Sequence, residues 1–193
     1  MLPANRDSAV YDIYSSAHND EWRFALGKRG SRQVLIIGLN PSTATQDKSD
    51  TTAAKVESVV RRNGFDGFVM LNLYPVRATD FRDLPADADL EAFAENLKRV
   101  EALAGAQPDP VVWAAWGNGI RARSYFAATA NELFARLEKY GARWWHFGPL
   151  TRLGHPRHPS RTSYAWEFSR LDTRHYQLTL GMQRFCSGDH LHG

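Results

Sequence analysis

Four short polar runs carry residue types that can do chemistry. They are Gly38-Leu39-Asn40-Pro41-Ser42-Thr43, Asn72-Leu73-Tyr74-Pro75, Trp116-Gly117-Asn118-Gly119 and Gly154-His155-Pro156-Arg157-His158-Pro159-Ser160. A carboxamide offers donors and an acceptor, so Asn40 and Asn72 can read a polar edge or orient water, although an amide is no base at neutral pH. Asn72 closes an apolar run, where a buried carboxamide needs partners. Gly38 and Gly117 let backbone approach a ligand closely. In the last run two prolines stiffen a loop that presents His155, His158 and the guanidinium of Arg157, as expected where a ligand must be positioned. Each run also has a plain structural reading. Asn40-Pro41-Ser42 makes a turn and a helix cap, Asn72 bonds a neighbouring loop, and the arginines form a solvated face.

Other chemistries fit less well. His155 and His158 stand three apart, but the prolines forbid a helix that would put both on one face, and adding Asp47 and Asp50 gives no zinc spacing. No metal site and no cofactor is expected. The run from Gly38 to Ser42 is not the Gly-x-Ser-x-Gly nucleophile elbow, and no Walker-type phosphate loop occurs. Arg61-Arg62 and the trio Arg152, Arg157 and Arg161 are basic clusters able to hold phosphates.

The elements that must position these runs alternate β and α. Residues 22–26 and 33–39 read as a hairpin around Gly27-Lys28-Arg29-Gly30. Residues 51–63 carry Ala53, Val56, Val59 and Val60 at helical spacing, with Gly64 as the stop. Residues 68–73 read as a strand and 90–104 as an amphipathic helix, which Pro108-Asp109-Pro110 breaks. Residues 111–116 form a third buried strand, 124–140 a helix and 143–147 a fourth strand. This order predicts an α/β fold, a three-layer sandwich with a mainly parallel central sheet covered on both faces. In such sheets ligands gather at the carboxyl ends of the strands, where all four polar runs fall.

Composition sets the outer bounds. The chain has 193 residues, 43% hydrophobic and 23% charged, which is the make-up of one globular domain, its core spanning about residues 20–180. A net charge of +3 permits contact with nucleic acid without requiring it. No apolar run approaches the ~18 residues of a membrane span. Cys186 is the sole cysteine and reads as a bystander, so an intrachain disulfide is excluded. Residues 1–8 are polar and lack a secretory pattern, and the tail after Gly188 reads as frayed. A soluble, cytoplasmic protein without a membrane partner is expected.

At these residues two resemblances emerge. The run Ile36-Ile37-Gly38-Leu39-Asn40-Pro41-Ser42-Thr43-Ala44, with Asn72-Leu73, Arg77-Ala78-Thr79-Asp80, Trp116-Gly117 and Gly154-His155-Pro156-Arg157-His158-Pro159, resembles a bacterial family of unknown function over roughly residues 20–165. More distantly, the four runs resemble the uracil-DNA glycosylase superfamily. That resemblance implies a base-excising N-glycosylase-like hydrolase acting on a nucleotide or nucleic acid. The Gly38-Leu39-Asn40-Pro41 loop would place a water, Asn72 would read the base edge, and His158 would stand near the base carbonyl. Ser42, Gly38, Trp116, Gly117, His155, Arg157 and Arg161 would complete the substrate site, and Phe65, Phe68 or Tyr74 would stack on the base. Arg161 stands where DNA-repair members place proline, glycine or an apolar wedge, and the cysteines of the iron–sulfur branches are missing. The competing expectation is a non-catalytic nucleotide or nucleic-acid binding module that uses the same cleft.

Overall fold

The computed structural model describes the backbone of residues 9–186 and side chains through Gly181. Expectations for residues 1–8, for Cys186 and for the tail after Gly188 lie outside the described side chains. The described residues form one seven-stranded sheet: β1 (Ile13–Ala17), β2 (Trp22–Lys28), β3 (Gln33–Gly38), β4 (Gly67–Asn72), β5 (Val111–Ala114), β6 (Arg143–Phe147) and β7 (Phe168–Arg170). Four helices accompany it: α1 (Thr51–Arg62), α2 (Leu90–Gly105), α3 (Ser124–Glu138) and α4 (Thr173–Cys186). No helix among the described residues is long and apolar enough to cross a membrane.

The strand order is β1-β2-β4-β3-β5-β6-β7. The four central strands β4, β3, β5 and β6 run parallel, while β1 against β2, β2 against β4 and β6 against β7 pair antiparallel. The sheet is therefore mixed rather than mainly parallel. The expected hairpin is also absent, because β4 inserts between β2 and β3 and pairs with both. Local sequence shows two strands joined by a glycine-rich turn, but the strongly apolar β4 offers a better partner to each. The real hairpin joins β1 and β2 through His18, Asn19 and Asp20, all at positive φ.

Each helix begins where its sequence allows. Asp50 caps α1 by accepting from the Ala53 N–H at 2.8 Å, and Asp89 caps α2 through the N–H groups of Glu91 and Ala92. Such caps contribute about 1 kcal/mol each. The alternation of the strands divides the core. Val34, Ile36, Phe68, Met70 and Trp113 meet Val56, Val59 and Val60 of α1 on one face. Leu35, Ile37, Val69, Leu71 and Val112 meet residues of α2, α3 and α4 on the other. This two-sided cover is why the central strands read as continuous apolar runs.

Candidate functional site

The parallel strands end side by side, so the four polar runs gather at one sheet edge. Gly38 and Asn72 are paired across β3 and β4, and a Cβ on Gly38 would lie 2.9 Å from Asn72 Oδ1. A side chain at Gly38 would force that carboxamide to shift. Asn72 follows Phe68 and Met70 in alternation, which puts its side chain on the face covered by α1. It is 4% exposed, and its Nδ2 has no hydrogen-bond partner in the described structure. A buried donor left unpaired costs about 1–3 kcal/mol, so this atom is where the fold retains a cost without a structural return. From the opposite face, Asn96 of α2 donates from Nδ2 to the carbonyls of Asn72 and Leu73 at 2.9 and 3.3 Å. It clamps the strand end that carries Asn72.

The Asn40 loop is held from beneath. Asn40 donates from Nδ2 to the carbonyls of Ala78 at 2.8 Å and Pro41 at 3.1 Å, which leaves its Oδ1 as an uncommitted acceptor. Arg77 donates to the carbonyls of Ser42 and Ala44, to the Tyr14 hydroxyl and to Asp20. Arg23, 2% exposed, donates to the same Ala44 carbonyl. Burial, with the neighbouring Arg77 charge, pulls the Arg23 guanidinium down to about 10, still protonated at neutral pH. Two cations thus grip one short loop. Arg77 belongs to the quoted Arg77-Ala78-Thr79-Asp80 motif, but its bracing role is a matter of long-range contact that no local pattern displays.

The histidine loop docks on the turn after β5. That strand stops at Ala114, two residues earlier than expected, because Trp116 adopts a helical conformation that opens the turn Gly117–Arg121. Gly117 sits at φ +68, its N–H donates to the Pro156 carbonyl, and a Cβ there would come 3.2 Å from the His158 Cβ. Thr151 Oγ1 bonds Asn118 Oδ1 at 2.7 Å, a second tie between the two loops. The two histidines then part company. His155 is fully buried with Nδ1 2.8 Å from the Tyr176 hydroxyl, which also accepts from Trp116 Nε1 at 2.8 Å. Burial raises the Tyr176 phenol well above its usual range. Trp116 and His155 therefore anchor α4 to the sheet and are buried away from the cleft surface.

His158 is half-buried, and its Nδ1 faces the Ser160 hydroxyl at 2.8 Å and accepts from the Ser160 N–H at 3.4 Å. The ring proton accordingly sits on Nε2. Burial lowers its pKa; Asp50 opposes this and Arg161 adds to it, so the imidazole is neutral at pH 7. Asp50 couples this ring to the first turn of α1 and also accepts from the Ala44 N–H. His158 stands at the wall of a cleft of about 620 Å³ that is also lined by Phe81, Asn118, Arg121, Arg157 and Arg161. That is the size range of small-molecule sites, about 300–1,000 Å³. Asn40, Asn72 and Gly38 are not among its lining residues and lie further along the same edge. Arg157 donates from Nε to the Pro149 carbonyl and lies 5.3 Å from the Trp166 ring, whereas Arg121 and Arg161 form no ion pair among the described residues. Ser42 enters the Arg77 network through its backbone carbonyl, which accepts from Arg77 at 2.6 Å.

Of the aromatics expected to stack, none is in the cleft. Phe68 and Tyr74 belong to the core, and Phe65 lies at the opposite sheet edge. Phe81, in the short turn Phe81–Asp83, is the aromatic ring on the cleft wall. Its sequence neighbourhood, Asp80-Phe81-Arg82-Asp83, is wholly charged and gave no sign of a ligand wall. Among the described residues no three His, Cys, Asp or Glu side chains come together as a metal-binding group.

A layered α/β chain with its polar loops collected at the carboxyl ends of parallel strands is a familiar class of ligand-binding architecture. Residues 22–160 match the family described as "Protein of unknown function (DUF1643)", and the chain belongs to that family. The matched span runs from the first residue of β2 through Ser160, so it contains Asn40, Asn72, Gly117 and His158 but not Arg161 or α4. No curated protein and no solved structure matches the chain.

Proposed function

We propose that this edge binds a nucleobase of a nucleotide or nucleic acid and that the protein hydrolyses its N-glycosidic bond. The observation that carries the reading is the orphaned Nδ2 of Asn72, a donor held 96% out of solvent beside an oxygen acceptor on the same amide. A pyrimidine edge, with a carbonyl next to an N–H, complements that pair. In the reaction the C1′–N bond breaks and its electron pair moves onto the base. Negative charge then develops on the base carbonyl oxygen. A neutral His158 with its proton on Nε2 supplies a hydrogen bond to that oxygen without transferring the proton, a role worth about 3–4 kcal/mol in comparable sites. The free Oδ1 of Asn40 accepts from the attacking water and aims its oxygen at C1′. Water adds to the sugar, and its proton passes to solvent or to the departing base. Arg161 and Arg121 line the cleft without an ion pair among the described residues, and on this reading they would meet substrate phosphates.

Asn40 supplies orientation and no base, so the reading requires a good leaving group or a modest rate. The same fact favours the second reading, a nucleotide or nucleic-acid binding module without turnover. Base release from a panel of nucleosides, nucleotides and single- and double-stranded oligonucleotides separates the two. The enzyme reading expects release by wild type, a roughly 100-fold loss in His158→Ala with binding little changed, and equal or higher activity in Asn40→Asp. Binding without base release from any substrate supports the module instead.

A further inference from the structure

At the opposite end of the parallel strands lies a second cavity of about 540 Å³, remote from the loops described above. Gln33, Val111 and Arg143, the first residues of β3, β5 and β6, form its floor on the amino edge of the sheet. It opens on the α1 side, where α1 is the one helix among the described residues and the face beside β6 and β7 is left to loops. Three aromatic rings, Phe65, Trp145 and Phe168, line it while remaining only partly buried. Phe65 and Phe168 meet edge to face at 6.5 Å. Around the rings stand guanidiniums. Arg32 is 5.7 Å from the Phe65 ring, Arg170 is 5.0 Å from the Trp145 ring, and Arg143 lines the cavity with an exposed side chain.

None of these three guanidiniums forms an ion pair among the described residues: Arg32 meets Asp66 only through its backbone N–H, Arg143 donates from Nη2 to the Asp109 backbone carbonyl at 3.4 Å, and Asp109 is the single carboxylate on the cavity wall. A solvated basic face would not need rings beneath it, and an ordinary core would not leave three rings in contact with an open cavity. Together they match a ligand that is flat and apolar at one end and anionic at the other. The ring would bury against Phe65, Trp145 and Phe168, and the anion would meet the forked donors of Arg32 and Arg143. The volume falls within the usual range for small-molecule sites.

We infer that this amino-edge cavity is a second binding site, taking a planar aromatic ring that bears a carboxylate or phosphate. The site is independent of the glycosidic chemistry at the other edge. Calorimetric titration of the full chain with 1-naphthoate tests it, with 1-naphthamide as the uncharged counterpart. The expected result is saturable binding of 1-naphthoate at least tenfold tighter than that of the amide. The affinity falls at least tenfold in the double variant Arg32→Ala/Arg143→Ala and in Trp145→Leu, and is unchanged in Arg161→Ala. Equal affinity for the amide, or full binding by the folded double variant, overturns the proposal. Loss of binding in Arg161→Ala with retention in the double variant does so too, by moving the anion to the cleft. Because 1-naphthoate has no glycosidic bond, the outcome leaves the reading of the other edge untouched.

Discussion

If the carboxyl edge reads a nucleobase as proposed, Asn72 is the residue at which stability and binding pull in opposite directions. Its unpaired Nδ2 is buried at a cost that a ligand carbonyl would remove. Replacing it with the similarly sized leucine removes the orphan donor. Asn72→Leu is therefore expected to melt at the wild-type temperature or higher while losing nucleobase binding, as differential scanning fluorimetry with and without ligand would show. A melting temperature lower by several degrees would mean that the fold itself uses the amide. His158 gives a pH signature at the same scale. Its folded pKa is depressed, chiefly by burial, so the folded state resists protonation that the unfolded chain accepts near 6.5. Its contribution to stability is complete above that value and is lost as pH falls below it toward the depressed folded pKa. Wild type should lose stability between pH 7 and 5 more steeply than His158→Gln in denaturant titrations, and matching slopes would remove the histidine from that loss.

At the scale of elements, β2 and the strands that carry the site were legible, whereas β1, β7 and α4 were not. Residues of β3, β4, β5 and β6 announce themselves as apolar runs because both faces are covered. β1 is partly polar, reading Ile-Tyr-Ser-Ser-Ala, and β7 has three residues, so neither carries a period to read. α4 buries Tyr176 and Leu180, but its apolar residues Tyr176, Leu178, Leu180 and Met182 fall at alternate positions, a period of two that does not mark a helix. The misplaced hairpin has the same origin, since pairing order depends on long-range competition and local sequence holds only the turn. Asn72 was visible as a carboxamide closing an apolar strand, whereas the clamp from Asn96 crosses the sheet and no local spacing records it. Asn96→Leu should strip both strand-end carbonyls of their donor, destabilise the fold by about 1–3 kcal/mol and weaken nucleobase binding with Asn72 intact. Urea melts and ligand titrations on one variant read both effects, and unchanged affinity would confine Asn96 to the fold.

Over the whole molecule, two opposite edges of one sheet carry two different kinds of surface. The carboxyl edge is polar, with carboxamides, a neutral imidazole and three arginines, whereas the amino edge is aromatic and cationic. The excess of three positive charges over the chain is too small to make the protein a general polyanion binder, so local cations decide. Among the described residues Arg161 forms no ion pair at the cleft, while Arg157 is tied to the Pro149 carbonyl and packed by Trp166. If a phosphate-bearing ligand enters there, Arg161→Ala should reduce the salt slope of binding by about one, and Arg157→Ala by less. Nucleobase recognition at the carboxyl edge, as proposed, rests on the amide of Asn72. The most direct measurement is the ¹⁵N-resolved NMR signal of its side-chain NH₂ during titration with uracil, cytosine and the purine bases. A base that uses this edge should shift one of the two amide protons downfield in a saturable manner, and the assigned signal should be absent from Asn72→Leu. An Asn72 amide that stays fixed through titration with every base would mean that no nucleobase is read at this edge.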